Sequence, residues 1–199
     1  DTDLNAIKAE PLATSGDDTF LRLTAAFVSD TSSNAITARD NTNGLKVAEN
    51  GFVADSQDPS LTEYTLNMNT NVLTLTFSET MNHEGATMSA IILQKASSVT
   101  LAADKRSLAN SAIQSTSPGI EIEIKIASAD MDAMKLNGIA ASDASAYLVM
   151  TAGALKDMNG KLCTALSNND NARQVDTFVA DDQDPKLDSF DFSMDTGIM

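Results

Sequence analysis

Carboxylates are the residues of this chain whose types and spacing point most directly to chemistry. Acidic side chains recur in two similar segments, which read FVADSQDP at 52–59 and FVADDQDP at 178–185. Hard cations such as Ca²⁺ bind through several oxygen ligands, which carboxylates and loop carbonyls provide. The two segments are therefore candidate places for a bound cation.

Two further carboxylates are expected to reach the same places. Glu79 follows the alternating run that begins at Leu73, and Asp157 opens the turn-forming sequence DMNG. A cation held between a linker and loops of two neighbouring domains would stiffen their junction and offset repulsion within an acidic chain. The predicted calcium ligands at these junctions are Asp55, Asp58, Glu79, Asp157, Asp181 and Asp184. The alternative is that these residues form turns and keep the surface soluble. The absence of a D-x-D-x-D-G loop weakens the signal for calcium.

Other chemistry has little support in the composition. His83 is the only histidine and Cys163 the only cysteine, which excludes a multi-histidine zinc site and an intrachain disulfide. No G-x-S-x-G, P-loop or H-E-x-x-H motif occurs, and we predict that the chain is not an enzyme. Lys and Arg number 13 against 28 Asp and Glu, and the net charge of −15 argues against nucleic acid and anionic membrane surfaces as partners. No apolar run approaches the ~20 residues that span a bilayer, so no membrane insertion is expected in this segment.

The two acidic segments belong to an internal repeat, with an offset of 126 residues from Phe52 to Phe178. The likeness continues on one side, where DLNAIK at 3–8 resembles DMDAMK at 130–135, and on the other, where 61–68 resembles 187–194. A unit of this size is typical of a single domain. We predict three parts: the C-terminal part of one repeat at 1–54, a complete repeat at 55–180, and the first strand of the next repeat at 181–199.

We expect these parts to belong to a longer array, because repeats of this kind normally occur in long series. Partners would then be neighbouring repeats of the same long chain, or copies of the chain itself in a filament. Exposed strand edges at incomplete repeats recruit other strands, which is consistent with either arrangement.

Period-two alternation predicts the fold of each repeat. Val72–Phe77 alternates apolar and polar residues, and Ile120–Ile126 places four isoleucines on one face. One short helix is expected to begin near Ser128 and to end before Gly138, with a copy over 2–9. We predict an all-β fold, an antiparallel sandwich with one short helix per repeat, and a closed barrel of the same strands is the alternative. The other predicted strands are Leu61–Met68, Ser89–Gln94, Val99–Ala102, Ala146–Thr151, Lys161–Ala165 and Gln174–Val179.

The motifs LTLTFSETM at 73–81 and LKDMNGKLCTAL at 155–166 resemble those of bacterial immunoglobulin-like repeats from S-layer and surface-adhesin proteins. The linker at 55–59 is similar to the junctions between tandem domains of that family. Long arrays with a helix like that at 3–8 resemble giant extracellular surface proteins of unicellular algae. The resemblance implies immunoglobulin-like repeats and a structural or adhesive role outside the cell or at its surface.

A protein with repeated domains and no reactive cluster most simply carries load and sets distance. The linker at 54–59 has no glycine, and Pro59 fixes one backbone angle, which favours a defined angle between domains. We predict a structural tandem-repeat unit of a long extracellular filament, hair or cell-surface coat. The alternative is an adhesin-type module that binds glycan or ice on an extended stalk of repeats.

Overall fold

The computed structural model describes residues 2–10, 12–192, 194 and 195. Within them, helix α1 spans Thr2–Ala9 and helix α2 spans Ser128–Leu136. The strands are β1 (Phe20–Leu21), β2 (Leu45–Lys46), β3 (Leu61–Asn67), β4 (Val72–Asn82), β5 (Ile91–Gln94), β6 (Lys105–Ser107), β7 (Ala112–Ile113), β8 (Gly119–Lys125), β9 (Tyr147–Met150), β10 (Lys156–Asp157), β11 (Arg173–Gln174) and β12 (Thr177–Val179). The fold is therefore all-β apart from short helices, as the alternating pattern predicts.

Two sheets contain all ten strands between residues 61 and 179. One has the order β12-β3-β4-β8-β7, with β10 paired to the end of β4, and the other has the order β11-β9-β5-β6. All of their pairs are antiparallel except β12 with β3, which is parallel, so the prediction of purely antiparallel sheets is wrong at this edge. The cause is that Gln174–Val179 is not one strand. Its chain crosses from one sheet to the other around Asp176, and it meets β3 in the parallel direction.

One apolar cluster draws side chains from both sheets. Along β8, Ile122 and Ile124 are buried while Glu121, Glu123 and Lys125 are exposed, which confirms the alternation. The Tyr64 hydroxyl on β3 donates a hydrogen bond to the Ala146 carbonyl beside β9, 2.7 Å away, and so joins the two sheets through the core. Other members are Leu66, Leu73, Leu75, Ile91, Leu93, Leu148, Met150 and Cys163.

Two predicted strands do not form. In Val99–Ala102 the Val99 backbone bonds on both sides to the Asn168 amide, at 2.9 and 2.8 Å, which takes the groups that a sheet neighbour would use. In Lys161–Ala165 a single bridge joins Leu162 to Lys156. A side chain and an isolated bridge therefore satisfy backbone groups for which the sequence pattern predicts a ladder.

Helix α2 begins without a side-chain cap, so the prediction of Ser128 as N-cap is wrong; Ala127 holds that position. Gly138 adopts a φ of +69° just after the helix, as expected for its C-terminal signal. The first turn is instead fixed by Asp130, whose side chain is fully buried. The Asp130 carboxylate accepts hydrogen bonds from Arg106 Nε and Nη2, from the Asn110 backbone and side chain, and from Ser111 Oγ, at 2.7–3.1 Å. Burial alone would raise the pKa of Asp130, but these donors outweigh it and the pKa is lowered.

Residues 2–54 have the local structure of 129–180. The bridges Leu23↔Arg39 and Ser29↔Ala35 recur as Met150↔Leu166 and Lys156↔Leu162, with every residue displaced by 127 positions. The Asp30 and Asp157 side chains each accept bonds from the backbone N–H groups two and four residues further on. Yet no described residue before Pro59 is buried, and among the described residues the strands that cover the second copy have no counterpart over the first.

The predicted opening strand at 181–199 is not formed in the part of it that the structure describes. Residues 181–192, 194 and 195 are exposed and pair with no other strand, and the remainder of the segment lies outside the described residues. In the complete repeat the equivalent strand, β3, has β4 on one side and β12 on the other. Strands require such neighbours to satisfy their backbone groups, and 181–195 has none among the described residues.

We expect Asp130→Asn to lower the free energy of unfolding by about 2–3 kcal/mol at pH 7, because a neutral amide cannot satisfy Arg106 and the other donors. The folded-state pKa of Asp130 is depressed, so its stabilisation is present above the unfolded value near 4 and is lost as pH falls below it. Urea unfolding at pH 7 and pH 3 should show a large difference between variant and wild type that shrinks at pH 3. Asp132→Asn, exposed on the same helix, is the control; equal effects of the two substitutions would contradict the assignment.

Candidate functional site

Three of the six predicted carboxylates converge beside β4. One oxygen each of Asp55, Glu79 and Asp157 lies within 4.8 Å of the others. Asp55 belongs to the linker before β3, Glu79 to β4 itself, and Asp157 to β10, where it pairs with Met81. Glu79 and Asp157 are both buried. The sheet pairing of β10 with β4 therefore assembles a carboxylate cluster that could hold a metal ion.

Lys8 places its ammonium between two of these carboxylates. Its Nζ lies 2.5 Å from Asp55 Oδ2 and 2.5 Å from Glu79 Oε2. Lys8 stands in the last turn of α1, where a cation also interacts favourably with the helix dipole. The helix is held further by Thr80, whose hydroxyl donates to the Asn5 carbonyl at 3.0 Å. A tethered cation from the first copy thus binds acidic residues of the linker and the complete repeat.

The cluster shifts the pKa values of its members in different directions. Burial raises the pKa of Glu79, and the hydrogen bond and charge of Lys8 offset this only in part. The hydrogen bond from Lys8 lowers the pKa of Asp55. Burial lowers the pKa of Lys8, but its bonds to Asp55 and Glu79 outweigh burial and the pKa is raised. The ammonium is therefore charged at neutral pH, as its role as counter-ion requires.

Asp157 is the carboxylate of the cluster that forms no ion pair with Lys8. Its Oδ1 accepts hydrogen bonds from the backbone N–H groups of Asn159 at 2.9 Å and Lys161 at 2.7 Å. Its Oδ2 is buried and has no hydrogen-bond partner among the residues that the structure describes. An unpaired buried carboxylate oxygen is costly, and a cation is one way to satisfy it. Three carboxylates and one ammonium also leave the cluster with a formal charge of −2.

The contacts of Lys8 recur 126–127 residues further along the chain. Lys135 Nζ lies 2.6 Å from Asp181 Oδ2, and these residues are the copies of Lys8 and Asp55. Asp55 Oδ1 accepts a bond from the backbone N–H two residues later at 3.1 Å, and Asp181 Oδ1 does the same at 3.2 Å. Both linkers therefore have the same turn and the same ion pair.

The other predicted calcium ligands do not join the cluster. Asp58 is mostly exposed and lies 3.7 Å from the amine of Lys161. Asp181 pairs with Lys135, and Asp184 is exposed. The group that converges is Asp55, Glu79 and Asp157, whereas Asp58, Asp181 and Asp184 lie outside it in the part of the chain that the structure describes.

Sequence reasoning missed the two lysines. Their signal is present, since the repeated motifs DLNAIK and DMDAMK both end in lysine, at an offset of 127 that differs by one residue from the offset of 126 between Asp55 and Asp181. A basic residue and an acidic residue that repeat together are expected to pair when the intervening chain brings them near. From the acidic residues alone, we predict a bound metal ion. In the structure, the Lys8 ammonium is the cation that pairs with two of them.

Comparisons with family models, curated proteins and solved structures find no match to this chain. The immunoglobulin-like resemblance therefore stays a prediction. In the described part of the chain, no helix combines the length and the apolar character that a membrane crossing requires.

We expect Lys8→Met to release α1 from β4, because Glu79 and Asp55 lose the cation that pairs them. Amide hydrogen exchange in 3–9 should accelerate by about tenfold, which corresponds to the ~1.4 kcal/mol expected for a partly buried charge-assisted contact. The pKa values of Asp55 and Glu79, followed by NMR, should both rise. Lys46→Met is the matched control, since its amine pairs with the exposed Asp17; unchanged exchange in α1 would show that the ion pair does not hold the helix.

Proposed function

We propose that this chain is a structural tandem-repeat segment of a long extracellular filament, hair or cell-surface coat. The observation that carries the proposal is that the ion pair between helix and linker recurs at the offset of the sequence repeat: Lys8 with Asp55, and Lys135 with Asp181. When neighbouring units meet through the same contact each time, stacking produces an extended object with uniform spacing. Such a protein needs no reactive cluster to set distance.

The restraints at the first junction are those expected of a defined joint. Lys8 ties α1 to both the linker and β4, and Thr80 binds the α1 backbone. Pro59 is buried at the end of the linker, and its carbonyl accepts a bond from the Thr164 N–H at 2.8 Å. A linker fixed at both ends transmits force and orientation between neighbours, whereas a flexible tether would not.

We propose that the 55–180 repeat is an immunoglobulin-like sandwich. Its support is the shared core between two sheets, the one-sided burial along β8, and the Tyr64 hydrogen bond that crosses between the sheets. A two-sheet core of this kind resists extension because neighbouring strands must separate before the core is exposed. The fold proposal and the structural role are therefore consistent with each other.

We also propose that Asp55, Glu79 and Asp157 bind Ca²⁺ at the junction, in competition with Lys8. The buried Asp157 Oδ2 without a hydrogen-bond partner and the residual negative charge of the cluster support a divalent cation. A bound ion and the lysine ammonium would repel each other, so occupancy of one disfavours the other. Calcium would then replace the tethered cation as the bond between the linker and β4.

We expect Lys8→Met to tighten Ca²⁺ binding by about tenfold in isothermal titration calorimetry, because the competing ammonium is gone. Asp157→Asn in the Lys8→Met background should abolish the binding. Asp30→Asn is the matched control, since Asp30 forms the same turn in the first copy without lying in the cluster. Two results would contradict the proposed calcium site. One is that the Lys8→Met variant does not bind Ca²⁺, and the other is that Asp30→Asn reduces Ca²⁺ binding as much as Asp157→Asn does.

We expect antibodies raised against the purified chain to label the surface or surface filaments of intact, unpermeabilised source cells. Electron microscopy with gold-labelled antibodies should show labels at regular intervals, because each repeat presents the same epitope. Labelling that appears only after permeabilisation would contradict an extracellular role. The competing adhesin function predicts instead saturable binding to particular glycans on an array, or enrichment in growing ice, by the same purified chain.

A further inference from the structure

We infer that the outward face of α2, formed by Asp132, Lys135 and Leu136, docks on the strand equivalent to β4 in a following copy of the 55–180 repeat. The inference rests on the proposed tandem arrangement and names the surfaces that would meet at each joint. Its template is the contact between α1 and β4, which this structure contains in full.

Helices α1 and α2 differ in the burial of the face that is directed towards their own repeat. In α1, Leu4 and Ile7 are 54% and 42% exposed. Their copies in α2, Met131 and Met134, are 2% and 0% exposed and belong to the core. This face of the helix is therefore made to cover its own repeat, and in α1 it is bare because no described residues stand where that core would be.

The opposite face of the helix is more buried in α1 than in α2. In α1 the residues Asn5, Lys8 and Ala9 are all partly buried, and their i, i+3, i+4 spacing places them on one side of the helix. The copies in α2 form its outward face, and all three are exposed. Leu136, at the position of Ala9, is 86% exposed, which is a large apolar side chain in an otherwise polar setting.

In α1 this face is covered by residues of β4 and of the linker. Asn5 offers its carbonyl to the Thr80 hydroxyl, and Lys8 binds Glu79 and Asp55. The helix therefore binds two consecutive buried residues near the end of β4, the carboxylate of Glu79 and the hydroxyl of Thr80. A helix with a lysine in its last turn fits this pair because the charge meets the carboxylate while a backbone carbonyl takes the hydroxyl.

At α2, one of the two pairings made by Lys8 is already present. Lys135 binds Asp181, the linker aspartate, in the manner of Lys8 with Asp55. Lys8 has a second carboxylate, Glu79, which stands 24 residues after Asp55 in the sequence. In a following copy of the repeat, the matching carboxylate stands the same distance after Asp181, where Lys135 is positioned to receive it.

Each helix would then contribute to two domains at once, with one face in its own core and the other against the next β4. Domain orientation would be set by a rigid helix rather than by the linker alone. Leu136 would bury its side chain in the joint, where the first junction has only the small Ala9.

The test is the full chain extended by residues 74–180, fused directly after Met199 so that the repeat continues in register at the offset of 126. Spin labels are placed by Ser117→Cys, an exposed position, in the 55–180 repeat and in the appended copy, with Cys163→Ala in both. Double electron–electron resonance should give a narrow distance distribution. Lys135→Met or Leu136→Ser should at least double its width, whereas Lys135→Arg should preserve it.

Lys46→Met in the same extended chain is the control and should leave the width unchanged. An appended copy that is folded, as judged by a doubled unfolding enthalpy, but whose distance distribution ignores Lys135→Met and Leu136→Ser would overturn the inference and leave the proposed tandem function standing. An appended copy that fails to fold would contradict the repeat boundaries, and with them both proposals.

Discussion

One ion pair connects the main elements of this structure: the Lys8 ammonium, on a helix that precedes the linker, meets the buried Glu79 carboxylate near the end of β4. Because the same ammonium also binds Asp55, the ion pair connects the helix, the linker and the sheet at one point. Solvent screens this attraction less than it screens an exposed salt bridge, while the desolvation of Lys8 and Glu79 opposes it.

In the proposed array, this ion pair would also give the repeats a direction. The helix carries the lysine near its C-terminal end and the strand carries the carboxylate, so the proposed units would add head to tail. The contacts of α1 with β4 form although Leu4 and Ile7, on the other face of α1, are exposed. The contacts made by the two faces of this helix are therefore separate.

Some of this arrangement could be predicted from residue patterns. The alternation at Ile120–Ile126 predicts a strand with one buried face because polarity alone sorts its side chains. Three of the six acidic candidates also meet beside β4. These successes concern local pattern and composition, which the sequence carries directly.

Several of the failures involve a partner distant in sequence. Val99 is held by Asn168 and Lys8 by Glu79, and neither pairing has a local signature. The parallel pairing of β12 follows from a chain that changes sheets at Asp176, whose carboxylate accepts the Tyr64 N–H across 112 positions. Such contacts become visible only when the whole fold is in place.

The coupling free energy between Lys8 and Glu79 tests the central claim most directly. A double-mutant cycle with Lys8→Met, Glu79→Gln and the double variant, measured by urea unfolding at pH 7, isolates their interaction. A joint held by this ion pair predicts a coupling of about 1–3 kcal/mol. Additive effects, with a coupling below about 0.3 kcal/mol, would contradict it.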